Sequence, residues 1–132
     1  MKRYTLSTPK RECMVSLDAL VDEAVREMGV TEGVCCVFVP HTTAAVTINE
    51  NADPDVQRDI LSHLAKLMPL EAGYRHSEGN SDAHIKSVLT GQSVLLPISG
   101  GRVQRGTWQS VFFCEFDGPR AREVWISVVG SR

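Results

Sequence analysis

Six consecutive residues, Val34-Cys35-Cys36-Val37-Phe38-Val39, form an unbroken apolar run closed by Gly33 on one side and Pro40 on the other. The run is too short for a typical helix, so it reads as a β-strand covered on both faces. Such a strand needs paired neighbours and covering layers, and the rest of the sequence supplies both.

Before it, residues 2 to 7 and about 11 to 15 read as two short strands with a turn at Pro9-Lys10. Leu17, Leu20, Val21, Ala24, Val25 and Met28 recur at helical spacing, with Ser16 to cap the start and Gly29 to stop the helix in a left-handed turn. After it comes a short strand, Ala44 to Ile48. Asp53-Pro54-Asp55 then provides an N-cap, a first-turn proline and a first-turn acid for a second helix with the stripe Val56, Ile60, Leu64 and Leu67, ending before Pro69.

Residues 70 to 80 carry glycines and little periodicity, which predicts a surface loop. A short third helix follows from about Asp82 to Thr90, with Ser81 as cap, Ile85, Val88 and Leu89 inward and Gly91 as stop. Ser93 to Ile98, Thr107 to Phe116 and Glu123 to Val129 are the remaining strands. No linker, repeat or low-complexity tract interrupts the chain, so residues 1–132 are expected to form one α+β domain. Its mixed or antiparallel sheet, half-barrel or sandwich-like, carries two main helices and one short one.

Hydrophobic residues make up 42% of the 132, enough for a real core. Fourteen Lys+Arg against 16 Asp+Glu leave a net charge of −2, which disfavours a nucleic-acid partner. No run approaches the roughly 20 apolar residues of a membrane span. The basic start, Met1 to Lys10, lacks the apolar stretch of a secretion signal, and a cytoplasmic location is expected. Cys13, Cys35, Cys36 and Cys114 have no zinc-ribbon spacing and read as reduced, small core residues.

Three polar constellations could carry chemistry. Pro40-His41-Thr42-Thr43 sits at a strand end, with Asn49-Glu50-Asn51-Ala52-Asp53 at the mouth of the second helix. Asp53 has a capping task, whereas Glu50 has none and stands as an acid, base or ligand. His76, Glu78, Asn80, Asp82 and His84 form the second group. His41, His76 and His84 could supply a three-histidine metal site, although their spacing matches no zinc signature and a polar loop with a helix cap explains them as well. His63, on the apolar stripe of the second helix, reads as a packing residue. In the third group, Gln109, Val111, Phe113 and Glu115 share one strand face and Trp108, Phe112, Cys114 and Phe116 the other. Glu115 needs a partner, which Arg120 or Arg122 can provide; alternatively these arginines hold a phosphate.

Taken together, Pro40-His41-Thr42-Thr43-Ala44-Ala45, Ile48 to Val56, His76 with Asn80-Ser81-Asp82-Ala83-His84, and Gly106-Thr107-Trp108-Gln109 with Glu115-Phe116-Asp117-Gly118-Pro119-Arg120 resemble the YjbQ family, also called secondary thiamine-phosphate synthase. The resemblance spans nearly the whole chain. It implies a homotrimer, and His41, His76 and His84 as ligands of a divalent metal. Zinc is the first choice of metal, with magnesium for diphosphate chemistry. It adds Asn49, Glu50, Asp53, Thr107, Gln109 and Glu115 to the site. Arg105 stands where an apolar residue is expected, at a pocket rim or interface.

The activity implied is a transferase reaction, joining a pyrimidine methyl diphosphate to a thiazole phosphate with release of pyrophosphate. Glu50 or Glu115 would act as the acid–base group, and Asn49, Asp53, Thr107, Gln109, Arg120 and Arg122 would bind the phosphorylated substrate. A non-catalytic metal- or ligand-binding trimer and a metal-dependent hydrolase are the alternatives. The trimer is also expected because Val111, Phe112, Phe113, Phe116 and Trp125 crowd the last strands, leaving more sheet surface than one helix layer covers.

Overall fold

A computed structural model describes residues 1–132. Its elements run β1 (Lys2–Ser7), β2 (Cys13–Ser16), α1 (Asp18–Met28), β3 (Glu32–Phe38), β4 (Ala44–Glu50), α2 (Pro54–Leu67), α3 (Ser81–Thr90), β5 (Ser93–Ser99), β6 (Arg102–Val103), β7 (Gln109–Glu115) and β8 (Ala121–Ser131). Five strands, ordered β1-β8-β3-β5-β6, form one sheet and three, ordered β2-β7-β4, form another. Every pairing is antiparallel.

Strand alternation builds the layers. Cys35 and Val37 of β3, Leu96 and Ile98 of β5, and Val124 and Ile126 of β8 face Ala44 and Val46 of β4 and Val111 and Phe113 of β7. Leu17, with Val21, Ala24 and Val25 of α1, joins the same core. The opposite face of the three-stranded sheet puts Ala45, Phe112, Cys114 and Phe116 against Ala83 of α3 and Leu61 and Leu64 of α2. Each buried phenylalanine contributes about 1.5–3 kcal/mol. At the far end of the large sheet, Gly33 pairs with Gly130, and a Cβ on Gly33 would lie 2.0 Å from the Val129 carbonyl oxygen, so only glycine admits this approach.

The helix ends follow local chemistry. Asp53 caps α2 by accepting from the Asp55 amide at 2.9 Å, and Gly29 ends α1 at φ 68°. The α1 cap is displaced by one residue: Leu17 holds the N-cap position, while the Ser16 hydroxyl accepts from the Asp18 amide at 3.3 Å. Similarly, Ser81 is the first residue of α3 rather than its cap.

Several burial expectations are corrected. The third helix does not turn Ile85, Val88 and Leu89 inward; Val88 is 77% exposed, and Asp82, Ala83, Lys86 and Ser87 are buried instead. The cause is an ionic cluster. Lys86 Nζ donates to Asp82 at 2.9 Å and to Glu12, Arg11 grips both Asp82 oxygens, and the Ser87 hydroxyl donates to the Ala44 carbonyl at 2.7 Å. His63 is exposed, not packed, because α2 buries none of its residues fully. The β3 strand is covered on one face only, leaving Val34 and Phe38 exposed, since no helix lies over the outside of the large sheet. Val111, Phe112, Phe113 and Phe116 are buried within the chain, so they leave no sheet surface uncovered. All four cysteines are free; Cys35 and Cys114 are buried, and Cys13 and Cys36 partly so. No helix is long and apolar enough to cross a membrane.

Candidate functional site

Thr42, Thr43 and Arg122, the last held from behind by Glu115, form the floor of a polar cavity at the Ala44 end of β4. Arg122 is the first inward-facing residue of β8, and Glu115 is the last of β7, so each sheet contributes one charge. Arg122 Nε donates to Glu115 Oε1 at 2.9 Å and Nη2 donates to Glu115 Oε2, to the Thr43 hydroxyl at 2.9 Å and to the Thr43 carbonyl. Glu115 also accepts from the Thr8 hydroxyl at 2.6 Å and from the Asp117 amide at 3.1 Å. Burial alone would push the Glu115 carboxyl up, but these donors and the Arg122 charge hold it below its ordinary value. Arg122 Nη1 has no protein acceptor, so it is the one nitrogen of that guanidinium left for a ligand in the cavity that Arg122 lines.

The walls come from three loops. Pro40 ends the extended run after β3 and delivers His41, whose ring stands edge-on to Phe113 with centroids 6.5 Å apart. His41 Nε2 accepts from the Glu123 amide at 2.9 Å, which places the proton of the neutral ring on Nδ1. Burial and the Arg122 charge lower its pKa, opposed by Glu123 and Glu115. His84, on the first turn of α3, meets His76 of the preceding loop edge-on, with ring centroids 5.4 Å apart. Asn80 Nδ2 donates to Asp117 Oδ2 at 2.9 Å, and Arg120 stands 3.8 Å from the same oxygen.

These groups enclose about 320 Å³ with no hydrophobic lining. A second cavity of about 350 Å³ lies beyond His41, Thr42 and His84, bounded by Ser87, Val88 and Gln92, so the two imidazoles form part of a partition between the spaces. The expected residues His41, His76, His84, Arg120 and Arg122 therefore come together. Thr42, Thr43, Glu78, Asn80 and Asp117 join them. Their signal was polarity beside strand ends and turns, which equally suits plain turn chemistry.

Asn49, Glu50, Asp53, Thr107 and Gln109 do not line this cavity. They occupy the opposite end of β4, about 20 Å away at 3.3 Å per strand residue. There Gln109 Oε1 accepts from the Gly106 amide at 2.7 Å, Asn49 Oδ1 from the Glu50 amide at 2.7 Å, and Asn51 bridges Ser110 and Gln57. Glu115, fully enclosed behind Arg122, positions that cation rather than facing the cavity. Arg105 is paired with Asp22 of α1.

For a metal ion, the donor set fits in kind, because three imidazoles border one polar space and suit a borderline divalent ion. They are not assembled as ligands: no three His, Cys, Asp or Glu side chains are gathered as a metal group, and His41 Nε2 is engaged by the Glu123 amide. Ligation through that nitrogen requires the ring to leave this hydrogen bond. Chemically, the cavity offers cationic and neutral donors for an oxyanion, with Glu78 and Asp117 as its carboxylates.

The profile of a family described as UPF0047 protein YjbQ-like matches residues 2–131. A UPF0047 protein of Methanocaldococcus jannaschii is 47% identical over 130 residues, covering 98% of this chain and 94% of the relative. The UPF0047 protein YugU of Bacillus subtilis is 44% identical over 131 residues, covering 98% and 99%. A crystal structure from Clostridium acetobutylicum, described as an uncharacterized conserved protein of the YjbQ/UPF0047 family, superposes with a TM-score of 0.96 at 49% identity, covering 98% of this chain and all of that one.

Proposed function

The chain belongs to the YjbQ-like UPF0047 family, and we propose that its histidine–arginine cavity binds phosphorylated small molecules and joins a pyrimidine methyl diphosphate to a thiazole phosphate. The observation that carries the binding part of this reading is one space lined by three imidazoles and two guanidinium groups, with no apolar side chain. The choice of reaction rests on the family resemblance.

The thiazole nitrogen gives its electron pair to the pyrimidine methylene carbon as the carbon–oxygen bond to diphosphate breaks. The diphosphate departs with that bond's electrons. No proton leaves the nitrogen, so the step requires charge stabilisation more than a base. Arg122 Nη1 and Arg120 meet the developing negative charge, and His41 Nδ1–H donates a further hydrogen bond where its ring keeps the Glu123 contact instead of holding a metal. Glu115 acts by fixing the Arg122 fork. His41, His76 and His84 would hold a divalent ion, zinc by donor type and magnesium where diphosphate is bound, supplying charge neutralisation to the phosphoryl oxygens.

A hydrolase reading is favoured by one observation, the presence of Glu78 and Asp117 on the cavity wall, where a carboxylate can direct water. Incubating the protein with both substrates and either zinc or magnesium separates the readings. The condensation predicts thiamine phosphate and pyrophosphate in equal amounts by mass spectrometry. Orthophosphate or pyrophosphate without the coupled product supports hydrolysis, and ligand binding without turnover supports a binding protein.

The assembly proposed is a homotrimer. Its support is the family resemblance together with exposed Val34, Phe38, Leu95 and Val129 on the large sheet and Val88 and Leu89 on α3. Light scattering should give three times the 14.5 kDa chain mass. We place the protein in the cytoplasm, where four free thiols remain reduced.

A further inference from the structure

A cavity larger than the histidine site, and different from it in composition, lies elsewhere in the molecule. It encloses about 460 Å³ between α1 and the β5–β6 hairpin, and three arginines line it: Arg26, Arg102 and Arg105. Val25 and Val103 are its only apolar contributors, and Asp22 is its only acid.

The three cations are in different states. Arg105 is held by Asp22, with Nη1 and Nη2 at 3.2 and 3.3 Å from its two oxygens, and Asp18 stands 3.8 Å behind. Arg26 and Arg102 form no ion pair with any carboxylate of the chain. In a chain of net charge −2, two unpaired guanidinium groups share one concave surface with a third that is fixed in place. A planar guanidinium matches an oxyanion with two parallel hydrogen bonds, and a concavity lined by one sign of charge concentrates counter-ions.

We propose that this cavity is a second anion site, specific for a diphosphate group, and separate from the histidine cavity. Two unpaired forks, Arg26 and Arg102, can each grip one phosphoryl group, so a diphosphate engages both where a single phosphate engages one. Arg26 and Arg102 provide the free forks, while Asp22 holds Arg105 as a preset third donor. Val25 and Val103 alone offer an organic substituent little apolar surface to pack against, so the charged group itself is the element recognised. The inference does not depend on the condensation reaction above.

The test uses the full-length protein labelled with nitrogen-15, titrated with inorganic pyrophosphate, a nucleoside diphosphate and orthophosphate. Saturable shifts of the Gly101 and Val103 amides are expected with pyrophosphate, and weaker ones with orthophosphate. A response to the nucleoside diphosphate as well identifies esters as ligands, and its absence identifies the free ion. The R26Q/R102Q double variant, which removes two exposed and unpaired groups, should weaken pyrophosphate binding at these amides by about tenfold or more. His84→Ala should leave that titration unchanged. Shifts confined to Thr42 and His84, equal affinity for orthophosphate, or undiminished binding by the double variant would each overturn the proposal. In the first case the histidine cavity's reading as an anion site survives alone.

Discussion

The two ends of β4 carry equally polar sequence, yet they have opposite characters. At the Ala44 end, Arg122 Nη1, the His41 Nδ1 side and the rings of His76 and His84 border open space. At the Glu50 end, Asn49, Asn51, Asp53 and Gln109 are engaged by nearby amides and side chains. Polar residues that satisfy one another locally hold turns and helix starts in place. Those held by a buried partner, with donors to spare, are equipped to meet something else.

The sharpest way to break this contrast is Arg122→Met. It leaves Glu115 charged and enclosed without its cation, so urea unfolding should show a loss of about 3–5 kcal/mol, together with loss of phosphate binding. Acid tests the same pair without mutation. Glu115 and Asp82 have folded-state values below their ordinary 4.5 and 3.8, so the unfolded chain takes up protons first as pH falls. Stability should therefore be full above the ordinary carboxyl range and decline as pH drops through the lower folded values, seen in urea midpoints measured from about pH 7 to about pH 2.

His84→Ala is smaller in stability and larger in selectivity. The ring is only half-buried on a helix whose large apolar residues already face outward, so the unfolding free energy should change by less than about 1 kcal/mol. Zinc binding, followed by calorimetric titration, should vanish. The least change is expected for Glu50→Gln, within about 0.5 kcal/mol in stability and with zinc and phosphate affinities unaltered. A marked fall in either affinity would show that the two ends of β4 act together, as neighbouring copies in an assembly would allow.

Much of the fold was legible because its signals are local. Asp53-Pro54, Gly29 and the alternation of Val111, Phe112, Phe113 and Cys114 each act within a few residues. The orientation of α3 was not, because Asp82 and Lys86 are buried against Arg11 and Glu12, some 70 positions away in sequence. A helix whose buried face is ionic reads inside out when apolar spacing is the guide. At the site, residue type singled out the three histidines and two arginines. Which polar motifs would share their cavity depended on strand register: Ala44 pairs with Glu115, whereas Glu50 pairs with Gln109.

Arg122 is part of the cavity floor, and its pair with Glu115 is a bolt across the seam between the two sheets. Any molecule that grips Arg122 from above is therefore linked thermodynamically to unfolding of the whole sandwich. At a free concentration a hundred times its dissociation constant, an occupant that binds only the folded chain adds about 2.7 kcal/mol of stability. Melting temperature thus becomes a screen in which the protein reports its own ligand before any reaction is known.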